Sequence, residues 1–343
     1  MTYRLSVLDQ SPIAAGSDAA QAVRDTIDLA RTADRLGYHR YWLAEHHASP
    51  ALAGAAPEAL IGPVALATHS IRVGSGGIML PHYSPFKVAE TFRLLSAIAP
   101  GRIDLGIGRA PGSDGRAALA LRQDRNRGFG AEDFPQALAE LLAYLDERPD
   151  GGLPAGHPFA ILRDTLPAGG GSPEPWLLGS SPDSARLAGA MGLRYCVAHF
   201  INSDGAPLVE LYRRSFTPSP GLGAPQVAVA AWAIAATDAE EAHRLAAPSM
   251  MMFAQLMRGR LVAVPPIEEA VAWLAANPQP AVLRVRMSLG TPREVRAGID
   301  AVADAYGADE VLLANILFDH AARRRSYELV AAEYGLAELE TAA

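Results

Sequence analysis

The stretch "IRVGSGGIMLPHYSPFKVAETFRLLSAIAPGRIDLGIGR", residues 71–109, holds the repeating unit of the fold. Two short β-rich runs, "IRVGSGGIML" and "RIDLGIG", flank a helical pattern. Ser84 fits the N-cap of that helix, and Pro85 its first turn, where a missing N–H costs nothing. Working outward, the same alternation recurs. "YRLSVLD" (3–9) leads to a helix over about 18–36, which Gly37 ends, with Val23, Ile27, Ala30 and Leu36 on one face. "YHRYWLA" (38–44) leads to a helix opened by Pro57. Beyond the quoted stretch come "PWLLG" (175–179), "RYCVAHF" (194–200), "QVAVAAWAIAA" (226–236) and "DEVLLANIL" (309–317), each followed by a helical pattern. Eight strands, each leading to a helix, predict an α/β fold: a parallel sheet closed into a (β/α)8 barrel, with an open doubly wound sheet as the rival.

A length of 343 residues allows two domains, or one large barrel with insertions. The chain reads as one barrel domain over 1–343. Residues 237–290 are too long for a plain βα connection and read as an insertion after strand seven that could serve as a lid. Residues 149–175, rich in Pro and Gly, read as a surface excursion. Thr291 and Glu294 in "TPRE" form a capping box, and Gly307 stops the helix that follows.

Half of the residues are hydrophobic and the net charge is −7, the composition of an ordinary globular protein. The basic triplet 323–325 reads as a solvated helix face and not a nucleic-acid patch. Cys196 is the single cysteine, so no intrachain disulfide can form. The first residues read as a strand, not a signal peptide, and no apolar run reaches the ~18 residues of a membrane span. A cytoplasmic protein is expected.

In a barrel, functional side chains come from the C-terminal ends of strands. Five places qualify: Glu45-His46-His47, Gly76-Gly77, Arg109, Gly179-Ser180-Ser181, and Asp319-His320. "GIGRAPG" (106–112) misses the dinucleotide spacing and sits at the fourth strand, not the first. Adjacent His46 and His47 do not converge easily on one ion, and no metal is expected. Ser181 and Pro182 mark a helix start whose N–H groups and dipole favour a phosphate, and Arg109 can add a charge-assisted contact. Asp319 reads as a helix N-cap.

"WLAEHH", the run from Gly76 to Arg109, "LLGSS" and "GTPREV" together resemble the bacterial luciferase-like (alkanal-type) flavin monooxygenases, over almost the whole chain and in order. The resemblance implies reduced FMN at the barrel mouth. It implies that His46 assists catalysis, and that Arg109 and Ser180 hold the FMN phosphate beside Gly179 and Ser181. It also implies a non-prolyl cis bond at Gly76–Gly77 beside the flavin. Gly108 stands where luciferase has a reactive Cys, Gly179 replaces an acidic residue, and the lid is shorter. These departures argue against light emission. The reaction expected is oxidation of a small apolar or carbonyl substrate with O2, reduced flavin coming from a separate NAD(P)H:flavin reductase. An imidazole with a pKa near ~6.5 could give or take the proton this chemistry needs, with Glu45 orienting His46 or His47. The alternatives are an F420-dependent hydride-transfer enzyme and a non-catalytic flavin-binding barrel. The resemblance also implies a homodimer.

Overall fold

The computed structural model describes residues 3–121, 133–154, 156–278 and 287–336. The strands are β1 (Arg4–Asp9), β2 (Arg40–Leu43), β3 (Arg72–Met79), β4 (Ile103–Gly108), β5 (Glu174–Leu178), β6 (Arg194–Ala198), β7 (Val227–Ala235), β8 (Met287–Gly290) and β9 (Glu310–Ala314). The helices are α1 (Ala19–Arg35), α2 (Pro57–Ala67), α3 (Pro85–Ile98), α4 (Gly115–Ala120), α5 (Phe134–Leu145), α6 (Pro182–Ala190), α7 (Ala206–Ser215), α8 (Ala239–Leu256), α9 (Ile267–Ala276), α10 (Pro292–Tyr306) and α11 (His320–Tyr334). Every strand pair is parallel. β1 to β7 pair in sequence order, β7 pairs with β9, and β9 pairs with β1, which closes an eight-stranded barrel.

The eighth barrel strand of the sequence is therefore β9. β8 is an additional strand that the alternation did not reveal. It has only four residues and pairs with β7 over Trp232–Ala235, whereas β9 takes the earlier part of β7, Ala228–Trp232. β8 lies inside the span 237–290, together with α8 and α9; residues 279–286 of that span lie outside the described residues. α8 covers the end of β7 with a small core of its own, in which Leu245 and Met250 pack with Ile234 and Leu317. Val264 then exchanges backbone hydrogen bonds with the segment after β1: its N–H donates to Ile13 O at 2.9 Å, and its carbonyl accepts from Ala15 N–H at 2.8 Å.

Local signals explain most helix ends. Asp18 caps α1, accepting from Gln21 N–H at 2.8 Å, and Asp319 caps α11, accepting from Ala322 N–H at 2.7 Å. Thr291 and Glu294 form the expected capping box, and Gly307 ends α10 in the left-handed region, where glycine carries no Cβ penalty. Ser84 precedes Pro85 as read, but its hydroxyl makes no capping bond, so the proline alone starts α3. Among the described residues no helix is long and apolar enough to cross a membrane.

Strand alternation sorts side chains between two environments. On β2, Tyr41 and Leu43 join the large layer between barrel and helices, while Trp42 faces inward with Leu8, Trp176 and Leu312. Arg40, also inward, sits at the N-terminal end of the barrel. Its Nη1 donates to Asp104 Oδ2 at 2.7 Å and its Nε to Glu310 Oε1 at 2.6 Å, and the guanidinium lies 4.8 Å from the Trp176 ring centre. A charged plug thus closes one end, and two tryptophans in edge contact, centroids 5.4 Å apart, cover it. Only the C-terminal end is left open.

The triplet 323–325 departs from its sequence reading. Arg323 is 1% exposed, with its Nη2 donating to Asp9 Oδ1 at 2.7 Å and its Nε to Asn315 Oδ1 at 3.1 Å. Arg324 and Arg325 do lie on the solvent side of α11, paired with Asp28 and Glu328. A run of like charges along a helix spans several faces, so one member can point inward to meet a buried carboxylate.

Candidate active site

The open end holds a cavity of about 450 Å³, within the usual range for small-molecule sites. Its floor is the apolar interior of the barrel, including Leu8, Trp42, Ala230 and Leu312. Its rim is built from strand ends. The segment after β2 supplies Glu45 and His46, β4 ends at Gly108 and hands on to Arg109, and β5 hands on to Gly179, Ser180 and Ser181. Three groups separated by more than a hundred residues of chain therefore face one space.

His46 is anchored through its backbone N–H, which donates to Gly54 O at 2.8 Å. Its Nδ1 is buried without a hydrogen-bond partner among the described residues. Burial, with the neighbouring His47 adding to it, pushes the imidazole pKa down to about 4. This corrects the expectation of a group poised near neutrality. At pH 7 His46 is neutral: it can accept a proton or a hydrogen bond, but carries no spare proton to give.

Glu45 orients His47, not His46. The His47 Nε2 donates to Glu45 Oε1 at 2.7 Å, Tyr83 O–H donates to the same oxygen at 3.1 Å, and Met79 N–H donates to Oε2 at 3.0 Å. Although sequence spacing points to no ion-binding group, Glu45, His47 and His82 each bring a ligand atom within 4.8 Å of the others.

The Gly76–Gly77 bond is cis, as the resemblance implies. Gly76 lines the cavity; a Cβ there would stand 2.7 Å from Leu8 Cδ1 and 3.0 Å from Trp42 Cβ, so its absence lets those side chains fill the barrel centre. Gly77 is not among the lining residues and backs onto Gly106 of β4. At Gly108 a Cβ would meet Met79 Sδ at 2.9 Å, so the thioether occupies the space that a larger residue at 108 would claim.

Arg109 Nη2 donates to Ser181 Oγ at 3.4 Å, and Nη1 lies 3.9 Å from Asp183 Oδ2. Ser181 caps α6: its Oγ accepts from Ser184 N–H, and Ser184 Oγ accepts from Ser181 N–H, both at 3.3 Å. A Cβ at Gly179 would overlap the Ser184 side chain, which explains the glycine between strand and helix. These contacts are long, so an anion could draw on the same donors at modest cost. A guanidinium, two serines and a helix start fit a phosphate group, and the apolar floor fits a flat ring.

Asp319-His320 does not belong here. Asp319 is a helix cap, and His320 Nε2 bonds Asp28 Oδ2 at 2.8 Å away from the cavity. No described residue of 237–290 is among those lining the cavity. Sequence reading missed Gln10, Met79, Phe200 and Ile201 as cavity residues. All four end or follow a strand, so the strand-end rule could have found them.

Comparisons with known proteins give the family and the fold. The family model described as "Luciferase-like monooxygenase" matches residues 3–310. The protein YvbT of Bacillus subtilis is 43% identical over 331 residues, covering 95% of each chain. The N-acetyl-S-alkylcysteine monooxygenase of Bacillus subtilis is 36% identical over 331 residues, 95% of this chain and 97% of that one. The crystal structure of apo-MsnO8 superposes with a TM-score of 0.89 at 39% identity, covering 98% of this chain and 100% of the other.

Proposed function

We propose, since the chain belongs to the luciferase-like monooxygenase family, that it works with reduced FMN and O2 and places one oxygen atom on a small apolar or carbonyl substrate. The family makes it an oxidoreductase. The observation that carries the finer reading is the meeting of His46, Arg109 and the Ser180–Ser181 helix start on one apolar-floored cavity.

Bound reduced FMN would supply two electrons, so that O2 yields one atom for the substrate and one for water. Arg109, Ser180 and Ser181 would hold the phosphate by charge-assisted and hydroxyl hydrogen bonds. Leu8, Trp42 and Leu312 would exclude water from beneath the ring. His46 would take a proton, or accept a hydrogen bond from the substrate, at Nδ1. The apolar interior favours substrates without charge. The sulfur chemistry in the name of the Bacillus relative extends the candidates to thioethers. Reduced flavin would come from a separate NAD(P)H:flavin reductase, and the insertion 237–290 would act as a lid only by moving from its place over β7. The protein would work as a homodimer in the cytoplasm.

Binding of FMN and of F420, measured side by side by calorimetry, tests the cofactor. FMN is expected to bind, and Arg109→Ala to weaken it by about 10- to 100-fold, the worth of a hydrogen bond to a charged group. Preference for F420 would move the reading to hydride transfer. No binding of either, or an unchanged affinity in Arg109→Ala, would remove the site assignment.

A further inference from the structure

At the rim of the cavity a second constellation lies outside the flavin reading. Glu45 and His47 follow β2, and His82 belongs to the turn after β3. One ligand atom from each lies within 4.8 Å of the other two. Glu45 is buried, the His47 side chain is 12% exposed, and His82 is buried. Two imidazole nitrogens and one carboxylate oxygen are a donor set for first-row divalent cations.

The surroundings match those of a built cation site. His82 Nε2 bonds the Pro111 carbonyl at 2.8 Å, the outer contact that orients a ligating imidazole and leaves Nδ1 as the basic nitrogen. Glu45 is held from outside by Met79 N–H and Tyr83 O–H. The His47 and His82 rings stand edge to face, centroids 5.6 Å apart. Glu58, in the first turn of α2, has a buried Oε2 without a hydrogen-bond partner among the described residues, and the charges of Glu45 and His47 both act on it.

We propose that Glu45, His47 and His82 bind a divalent transition-metal cation of the zinc class, which cross-links the segment after β2 to the turn after β3. The proton now shared by His47 Nε2 and Glu45 Oε1 leaves as the ion enters. Tetrahedral bonds of about 2.0–2.2 Å to zinc put ligand atoms about 3.3–3.6 Å apart, so the widest pair must close by up to about 1.5 Å and the Glu45–His47 pair must open slightly. Of the three ligands only Glu45 lines the cavity, so the ion braces the rim on which His46 sits from the side of His47 and His82.

Equilibrium dialysis of the purified full chain against Zn²⁺, and visible spectra with Co²⁺ in its place, test this. One ion per chain is expected, with tetrahedral d–d bands for Co²⁺. His47→Ala and His82→Ala should each weaken binding at least tenfold, and His46→Ala should retain it. Should the alanine variants fail to fold, the unaltered protein still decides the matter. Co²⁺ should then give imidazole N–H proton resonances shifted far outside the usual range by the bound ion. The absence of stoichiometric binding, undiminished binding in both variants, or no shifted imidazole resonances overturns the site.

Discussion

His46 and His39 show how position sets the chemistry of one residue type. His46 is neutral because burial opposes its charge, and no carboxylate among the described residues offsets it, since Glu45 is paired with His47. His39 is neutral for the same first reason, with Arg40, Arg4 and Arg72 adding repulsion; its pKa falls to about 3. Its folded pKa thus lies below the unfolded value of about 6.5. The unfolded chain takes up a proton at this site as pH drops from about 6.5 toward 3, while the folded chain does not. Stability at this site is complete above about pH 6.5 and is lost as pH falls through that window. In His39→Gln the urea midpoint should therefore fall less between pH 7 and pH 4.5 than in the parent protein. An equal fall in both would show that His39 is not a source of acid lability.

At the scale of elements, the faces of α2 and α3 bear on assembly. Leu66 of α2 is 75% exposed, and Leu94 and Ile98 of α3 are 56% and 42% exposed. α2 packs against α3, so exposed large apolar side chains on both helices offer a surface of the kind that marks an interface. A homodimer through these faces predicts twice the chain mass in sedimentation velocity, and Leu94→Glu should shift the species to a single chain. A single-chain mass for the unaltered protein would dismiss the dimer. Element by element, the sequence was most legible where local chemistry acts, at the caps Ser181, Thr291 and Asp319 and at the stop Gly307. It was less legible where tertiary contacts choose the face. On α1 the buried positions include Ala22, Thr26, Leu29 and Ala33, and Val23 and Ile27 lie only at their margin, because the barrel surface selects small residues for close approach.

The whole molecule depends on a balanced set of buried charges at the N-terminal end of the barrel. Arg40 meets Asp104 and Glu310 inside, with Glu174 at 3.4 Å. Although burial favours its neutral form, Asp104 and Glu310 hold its charge firmly. Arg40→Met leaves the two buried carboxylates without that counter-charge and should cost about 3–5 kcal/mol in urea unfolding. An unchanged midpoint would mean that the plug contributes no net stability.

The sequence by itself determined the order of strands and helices, the helix caps, and which strand ends carry polar groups, because each is set by residues a few positions apart. It also marked His46, Arg109, Ser180 and Ser181 before any coordinates. The tertiary structure alone decided that β9 closes on β1, that a four-residue β8 lengthens one edge, that Arg323 turns inward to Asp9, and that Glu45 serves His47 beside His82. Those pairings join residues up to about three hundred positions apart, and barrel closure, not local pattern, fixes which strand ends become neighbours.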